Sequence, residues 1–259
     1  MSNFMGIFDL LSPFFSWFDA LLGQIISPIL RLIFWGIVSS ILSMWLYKLL
    51  SPQEKLAQNK IAVAETKKTL AKYDDDFEGA LQLSQRLLGL SLKQVGLALG
   101  PAILASLPVV FLLVWLGGAY DYRLPAPKAM IDIQISPPAA EVQWQPADAQ
   151  PGLEPGEWQI SWPNSEEPLS LHDSTGQLIA TFPLSKPVPI LHQYQWWNIL
   201  FANPAGYIPD QANLESVEIA IPENQYLNFG PDWMRSSIAL FLIVVIICSL
   251  AIKFIFRIH

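Results

Sequence analysis

Residues Gln94–Tyr120 read QVGLALGPAILASLPVVFLLVWLGGAY, and none of their side chains is charged. Two further stretches, Leu32–Tyr47 and Ser236–Ile252, also lack charge. A helix needs about 20 apolar residues to cross the hydrocarbon core of a bilayer. All three stretches approach that length when their uncharged or snorkelling flanks are included. The sequence therefore predicts an α-helical membrane protein with three transmembrane helices.

The charged residues are distributed unevenly between these stretches. Lys48–Gly96 contains 8 basic and 6 acidic residues and carries +2, whereas Gly117–Met234 contains 3 basic and 14 acidic residues and carries −11. Lys and Arg near membrane ends collect on the cytoplasmic side. We therefore predict that Lys48–Gly96 and the C-terminal tail with Lys253 and Arg257 are cytoplasmic. The N-terminus and Gly117–Met234 are then predicted to lie outside.

These patterns divide the chain into six segments. We expect an amphipathic interfacial helix at residues 1–22, transmembrane helix 1 at 23–50 and a cytoplasmic coiled-coil hairpin at 51–93. Transmembrane helix 2 is expected at 94–117, and an extracytoplasmic, mostly-β, sandwich-like domain with an interfacial segment 194–207 is expected at 118–232. Transmembrane helix 3 and a cytoplasmic tail complete the chain at 233–259.

The N-terminal segment has mixed periodicity. Apolar residues recur at helical spacing from Phe4 to Leu21. The opposite side of such a helix would carry the polar residues Asp9, Ser12, Ser16 and Asp19. This pattern predicts an amphipathic helix in the outer interface, and the alternative is an N-terminal extension of the first span. The segment lacks the basic region of a cleavable signal peptide, so we interpret it as retained.

The predicted hairpin rests on a heptad pattern. Leu56, Val63, Leu70 and Phe77 recur every seven residues and predict the contacts of an antiparallel coiled coil. The run Asp74-Asp75-Asp76 interrupts the pattern and favours a turn that then caps a new helix. The alternative is a solvated, charged linker between two spans.

The long acidic segment has the composition of a β domain. It holds 16 of the 21 prolines, which makes long helices improbable there. Asp173-Ser174-Thr175-Gly176 predicts a hairpin turn. Runs that resemble strands predict a small β-sandwich, and they cover Met130–Ile135, Val142–Gln145, Trp158–Trp162, Leu169–Leu171, Gln177–Phe182 and Val217–Ile221.

Aromatic residues mark a second possible contact with the membrane. Trp196, Trp197, Tyr207 and Trp233 are amphipathic aromatics of the type that settles at the level of the lipid headgroups. Tyr194–Tyr207 is therefore interpreted as interfacial or shallowly re-entrant. A buried aromatic core of the β domain is an equally good interpretation.

No catalytic or metal-binding constellation is visible in the sequence. The three histidines, His172, His192 and His259, are scattered, and no HExxH, GxSxG or phosphate-binding loop occurs. Cys248 is the single cysteine, so no disulfide framework exists. We expect a protein that is not an enzyme, with no cofactor, no metal and no nucleic-acid partner.

Arg31 is the strongest candidate for a functional residue, because an ionisable residue in a span is costly. Snorkelling to the outer surface is the alternative. Other polar residues of the spans could line a hydrophilic groove with it, although serines also serve as close-packing residues. These groove candidates are Gln24, Ser27, Ser39, Ser40, Ser43, Gln94, Ser106 and Ser249.

The order of elements resembles the YidC-type membrane insertase superfamily, whose short members include archaeal insertase-like proteins and the third subunit of the endoplasmic-reticulum membrane protein complex. The resemblance covers about Gln24–Pro125 and, weakly, Phe229–His259. It is carried by the coil entry KLLSPQEK at Lys48–Lys55, the Pro-containing span Leu97–Leu116 and the exit GGAYDYRLP at Gly117–Pro125.

The resemblance implies a helical core around a polar groove that is open to cytoplasm and lipid and contains a basic residue, which Arg31 matches in type and helix. It further implies a coiled coil that receives ribosome or client. This chain departs in the outer position of Arg31, in its three spans with a β domain, and in a hairpin that is barely positive, which does not support ribosome binding through RNA.

Three functions follow from these observations. The first is insertion or chaperoning of membrane segments in a bacterial inner membrane, without nucleotide hydrolysis, with lipid and client transmembrane segments as partners. The second is a non-enzymatic scaffold that binds a partner subunit of an envelope complex through its outer domain. The third and weakest is ion conduction, because no pore helix or repeated acidic ring is visible.

Overall fold

The computed structural model describes residues 6–74, 76–138, 140–145, 149–163, 168–182 and 186–256. Predictions that concern Phe4, Asp75, Arg257 and His259 lie outside these residues. Contacts divide the described chain into two units, which are treated separately. One unit lies within Met1–Ile29 and Phe111–Leu240, and the other lies within Leu30–Val110 and Phe241–His259.

Five α-helices are found among the described residues. They are α1 Ser12–Leu22, α2 Pro28–Leu50, α3 Gln53–Leu70, α4 Phe77–Tyr120 and α5 Ser237–Ile255. Three of them, α2, α4 and α5, are long and apolar enough to cross a membrane. The prediction of three membrane-spanning stretches is confirmed at this level.

Helix α2 begins later than the sequence predicted. Residues 23–27 form turns, and the helix starts at Pro28. Proline suits the first helical position, because its missing N–H would have no intrahelical acceptor there. The predicted start at residue 23 was therefore too early, and α1 is a separate helix rather than an extension of α2.

Helix α4 is one helix of 44 residues, and it continues across the border between the predicted hairpin and the predicted second span at residues 93 and 94. It contains the returning arm of the hairpin as well as the apolar stretch Gln94–Tyr120. Pro101 and Pro108 both lie inside it. Because no turn-forming cluster separates the polar arm from the apolar stretch, the helix has no reason to end between them.

Eight strands are found among the described residues of the first unit. They are β1 Met130–Ser136, β2 Val142–Gln145, β3 Ala149–Pro151, β4 Glu157–Ser161, β5 Leu169–Asp173, β6 Leu178–Phe182, β7 Ile190–His192 and β8 Ser216–Ile219. One sheet has the order β3-β4-β1-β8-β7 and the other has the order β2-β5-β6. All their pairings are antiparallel, so the mostly-β prediction is confirmed.

The two sheets share one hydrophobic core. Alternate residues of β1, Ile131, Ile133 and Ile135, are buried, because successive side chains of a strand point to opposite faces. They belong to the same buried cluster as Trp144 and Leu171 of the smaller sheet. The arrangement is that of two sheets packed over a common apolar layer.

Candidate functional site

An inclined polar ridge runs along α2 in the second unit. Arg31, Trp35, Ser39 and Ser43 occur at every fourth position, and such residues form one ridge on a helix surface. Arg31 is half-buried, whereas Trp35 and Ser39 are buried. Ser39 lies 11 residues after Pro28, about 17 Å along the helix. Ser39 therefore lies near the middle of α2, which ends at Leu50.

Two hydroxyl groups of this ridge are unpartnered. Within the part of the chain that the structure describes, neither Ser39 Oγ nor Ser43 Oγ has a hydrogen-bond partner, and both atoms are buried. A buried polar atom without a partner costs about 1–3 kcal/mol. The ridge therefore contains two hydrogen-bonding groups whose capacity is unused within the described structure.

Ser40 has a different environment on the same helix. Its hydroxyl donates to Gly36 O over 2.7 Å and contacts Val245 O of α5 at 3.2 Å. A Cβ added at Gly36 would lie 2.8 Å from Val244 Cγ1. Gly36 and Ser40 therefore form a close-packing face against α5, as small residues do between membrane helices. The close-packing interpretation fits Ser40.

The remaining groove candidates do not join the ridge. Gln24 and Ser27 were predicted to lie within the first span, but they are exposed and precede the start of α2 at Pro28. Ser106 is exposed, and its hydroxyl donates to Ile103 O of its own helix over 2.8 Å. Gln94 and Ser249 are half-buried. Of the groove candidates, Arg31, Ser39 and Ser43 share one ridge of α2, whereas the inclusion of Gln94 and Ser249 stays a prediction.

The helical hairpin is held by polar residues that the heptad analysis missed. Asn59 of α3 is buried and donates through Nδ2 to Leu90 O of α4 over 2.8 Å. Thr66 is also buried, and its hydroxyl donates to Ala62 O. Asn59 and Thr66 fall three residues after Leu56 and Val63. They therefore occupy the second of the two core positions in each heptad. A search for apolar repeats overlooks them. A search for small, uncharged polar residues at that spacing would have found them.

The predicted coiled-coil contacts are only partly buried. Leu56 is buried, and Val63 and Leu70 are half-buried, whereas Phe77 is 83% exposed. Phe77 is therefore wrong as a contact residue. It is the first residue of α4. Whether the arms form a regular coiled coil stays a prediction.

Asp76 starts the returning arm, as the sequence predicted. Its Oδ2 accepts a hydrogen bond from Gly79 N over 3.2 Å, and its Oδ1 accepts one from the Tyr73 hydroxyl over 2.5 Å. The first of these is the bond of a helix N-cap. Donation by Tyr73, and then by Gly79 N–H, holds the pKa of the Asp76 carboxyl below its usual value.

In the first unit, a polar cluster joins the end of α4 to the beginning of α5. Asn224 Nδ2 donates to Tyr120 O over 2.9 Å and to Tyr122 O over 3.1 Å, and the Tyr226 hydroxyl donates to Tyr120 O over 2.8 Å. The last carbonyl groups of a helix have no intrahelical donor, so these bonds satisfy the end of α4.

Asp121 lies at the centre of this cluster. Its carboxylate accepts a hydrogen bond from the Ser237 hydroxyl at the start of α5. Burial raises the pKa of Asp121, the Ser237 bond opposes that rise, and the negative charge of Glu223 adds to it. The cluster is therefore sensitive to the protonation of one buried carboxyl group.

The predicted interfacial aromatics lie at the surface of the first unit. Trp196 is 78% exposed and Trp233 is 72% exposed, whereas Trp197 is partly covered and Tyr207 is half-buried. The alternative of a buried aromatic core is therefore wrong for both tryptophans of the Trp196–Ile199 3-10 helix. The centroid of the His192 ring lies 5.0 Å from that of the Trp197 ring and 5.8 Å from that of the Tyr207 ring.

No protein-family model, no curated protein and no solved structure matches this chain.

Proposed function

We propose that this protein is a membrane insertase or intramembrane chaperone of the YidC-like type, which acts without nucleotide hydrolysis. The observation that carries the proposal is the pair of buried, unpartnered hydroxyls, Ser39 and Ser43, on the ridge of α2 that also contains Arg31. Hydroxyl groups without partners at bilayer depth are costly, and a passing polar segment would supply the missing bonds.

The ridge would act on the polar flank of a client segment. Moving a peptide group into hydrocarbon without hydrogen bonds costs several kcal/mol, and this cost opposes translocation of the flank. Ser39 and Ser43 would offer hydrogen bonds along the way, and Arg31 would offer positive charge near the outer end of α2. The apolar part of the client needs no such help and would enter the lipid directly.

The hairpin would guide a client from the cytoplasm to the ridge of α2. Helix α4 runs without a break from the hairpin into its apolar stretch, so one rigid element links an aqueous region to the bilayer. In this proposal the hairpin lies in the cytoplasm of a bacterial cell, and the client contacts it first. The N-terminus and the β domain then lie outside the inner membrane.

Disulfide crosslinking tests whether a client reaches the ridge. In a Cys248→Ser background, Ser43→Cys is combined with a nascent membrane protein that carries one cysteine in the polar flank of its apolar segment. We expect a disulfide between the two chains on oxidation during synthesis. Ile41→Cys is the matched control, because Ile41 lies on the exposed side of the same helix. Equal crosslinking at both positions, or none at Ser43→Cys, would contradict the proposal.

A specific observation also favours the scaffold function. The outward face of the larger sheet is a concave surface lined by Asp132, Glu157, Glu218 and Glu223. Such a face fits a basic partner protein through charge complementarity. Crosslinking from Glu218 during client synthesis separates the two functions, because a scaffold would form one fixed adduct whether or not a client is made.

A further inference from the structure

Helix α1 has its polar side turned toward the protein. Asp19 and Phe15 are buried, and the Tyr120 hydroxyl donates to Asp19 Oδ1 over 2.6 Å. One turn earlier, Trp115 Nε1 donates to Ser16 Oγ over 2.9 Å.

The opposite side of the same segment is apolar and exposed. Phe14, Trp17 and Leu21 follow the spacing of one helix face, and Trp17 is 60% exposed. The amphipathic helix of a water-soluble protein shows the reverse arrangement, with its apolar side covered and its polar side in solvent. An apolar face of this kind that points outward is suited to lipid.

The segment before α1 is fixed to the aromatic segment 194–207. Phe8 N donates to Leu200 O over 3.1 Å, and Asp9 Oδ2 accepts from Ala202 N over 2.8 Å. The Phe8 ring stacks on Phe201 with centroids 5.3 Å apart. A Cβ at Gly6 would lie 2.5 Å from Leu200 O, so only glycine permits this approach. The two segments are thus one continuous part of the first unit.

We propose that Ile7–Leu22 and Trp196–Phe201 together form a single lipid-docking surface that lies in the outer leaflet of the bilayer. Lipid is the occupant because this surface is continuous with an apolar helix that is long enough to cross the membrane. Phe8 packs edge-on against Phe111 of α4 at 5.3 Å, and the Asp19 and Ser16 bonds also end on α4.

The outward residues also define the kind of lipid. Leu10, Phe14, Trp17, Leu21 and Trp196 carry no charge. Docking therefore rests on burial of apolar area and on the preference of tryptophan for the headgroup region, not on attraction to anionic lipid. We expect the surface to bind neutral and anionic bilayers equally.

Depth-dependent fluorescence quenching tests this surface in the full-length protein. A Trp17→Cys and a Trp196→Cys variant, both with Cys248→Ser, are labelled with a small environment-sensitive dye. Each is placed as a single copy in nanodiscs of phosphatidylcholine that carry a nitroxide high on the acyl chain. We expect loss of most of the fluorescence and a blue-shifted emission at both positions, unchanged when phosphatidylglycerol is added.

Leu153→Cys is the matched control, since Leu153 is an exposed apolar residue of the same unit in the turn before β4. Its dye should keep its fluorescence. Ala20→Cys, at an exposed position of α1, replaces Trp17→Cys if that variant does not fold. Dyes at α1 and Trp196 that are quenched no more than the dye at Leu153 would overturn the proposal and would show that water or another protein covers this face.

Discussion

The Tyr120 hydroxyl donates a hydrogen bond of 2.6 Å to Asp19 Oδ1, and the two residues are 101 positions apart in the chain. Both side chains are buried. This bond connects α1 to the last residue of α4. It therefore fixes the N-terminal helix in the orientation that exposes its apolar side.

Removal of the Tyr120 hydroxyl is predicted to destabilise the first unit. Tyr120→Phe deprives a buried carboxyl group of a donor, and this type of loss costs about 1–3 kcal/mol. Denaturant unfolding in mixed micelles, followed by tryptophan fluorescence, measures the change. Asp210→Asn, at an exposed carboxyl group, is the control and should change stability very little. A Tyr120→Phe variant as stable as the control would show that the bond does not hold α1 in place.

A second prediction concerns the packing of α2 against α5. Gly36→Ala places a Cβ 2.8 Å from Val244 Cγ1, and overpacking of this kind costs about 1–3 kcal/mol. Val244→Ala in the same chain should recover only part of the loss, because it removes Cγ1 but keeps the Val244 Cβ, which would lie 2.9 Å from the added Cβ. Thermal unfolding of the purified variants in one detergent gives the comparison.

Gly96→Ala provides the matched control for that substitution. A Cβ at Gly96 meets no atom within 4 Å, and alanine favours a helix over glycine by about 1 kcal/mol. Gly96→Ala should therefore be neutral or stabilising. If both variants lost stability equally, helix flexibility rather than contact with α5 would explain the effect.

The third prediction concerns Asp121 and pH. Burial raises its folded-state pKa above the ordinary value of 3.8, so the charged carboxylate disfavours the folded state at neutral pH. This loss of stability disappears as pH falls through the raised pKa. Asp121→Asn should therefore be more stable than the natural chain at pH 7, and the two should converge at acidic pH.

Asp173 should show the opposite dependence. The Thr175 hydroxyl, and then the Gln177 N–H, donate to its carboxylate and lower the Asp173 pKa. A depressed pKa contributes stability that is present at neutral pH and is lost as pH falls through the folded-state value. Asp173→Ala should thus weaken the chain at pH 7 and lose this effect in acid. The same sign of change for both variants at pH 7 would contradict the assigned environments.

The fourth prediction concerns topology. Because the hairpin is net positive and the β domain strongly acidic, a cysteine at Ser84 should be protected from an impermeant thiol reagent in intact cells. A cysteine at Ser174 should react, and both positions are exposed to solvent. The background is Cys248→Ser, and permeabilised cells provide the control in which both react. Labelling of Ser84→Cys alone in intact cells would reverse the orientation.

Strong local patterns made much of the fold predictable. The alternation of Ile131, Ile133 and Ile135 matches β1, and the Asp173 turn matches the hairpin between β5 and β6. Strands β3 and β7 were missed because each has three residues, too few for alternation to be visible. Pro151 within β3 also argues against a strand from sequence alone.

The misjudged features have one physical cause. Sequence patterns show which residues share a face, but they do not show what that face touches. The apolar face of α1 predicted an interfacial helix, but the pattern did not show that Ser16 and Asp19 on its other side bond to α4. The contact that Asn59 makes between the two arms could not be predicted for the same reason. Its partner is the backbone carbonyl of Leu90, and a backbone group does not contribute to a side-chain pattern.

The candidate site was only partly predictable for a related reason. Ser39, Ser40 and Ser43 have the same chemistry and lie within five residues of α2. Ser40 bonds to Gly36 O of its own helix and to Val245 O of α5, whereas the other two hydroxyls have no partner among the described residues. Arg31 could be identified as a candidate from the sequence, because a charged residue in an apolar helix is unusual whatever its neighbours are.

Insertion by the purified protein tests the central claim most directly. Natural, Arg31→Ala and Arg31→Lys proteins are reconstituted at equal abundance into liposomes, and protease protection measures insertion of a client with a polar flank. We predict nucleotide-independent insertion by the natural chain, loss of most insertion for Arg31→Ala and partial recovery for Arg31→Lys, because the ridge requires positive charge more than guanidinium geometry. An Arg31→Ala protein of normal abundance that inserts the client as well as the natural chain would contradict the account.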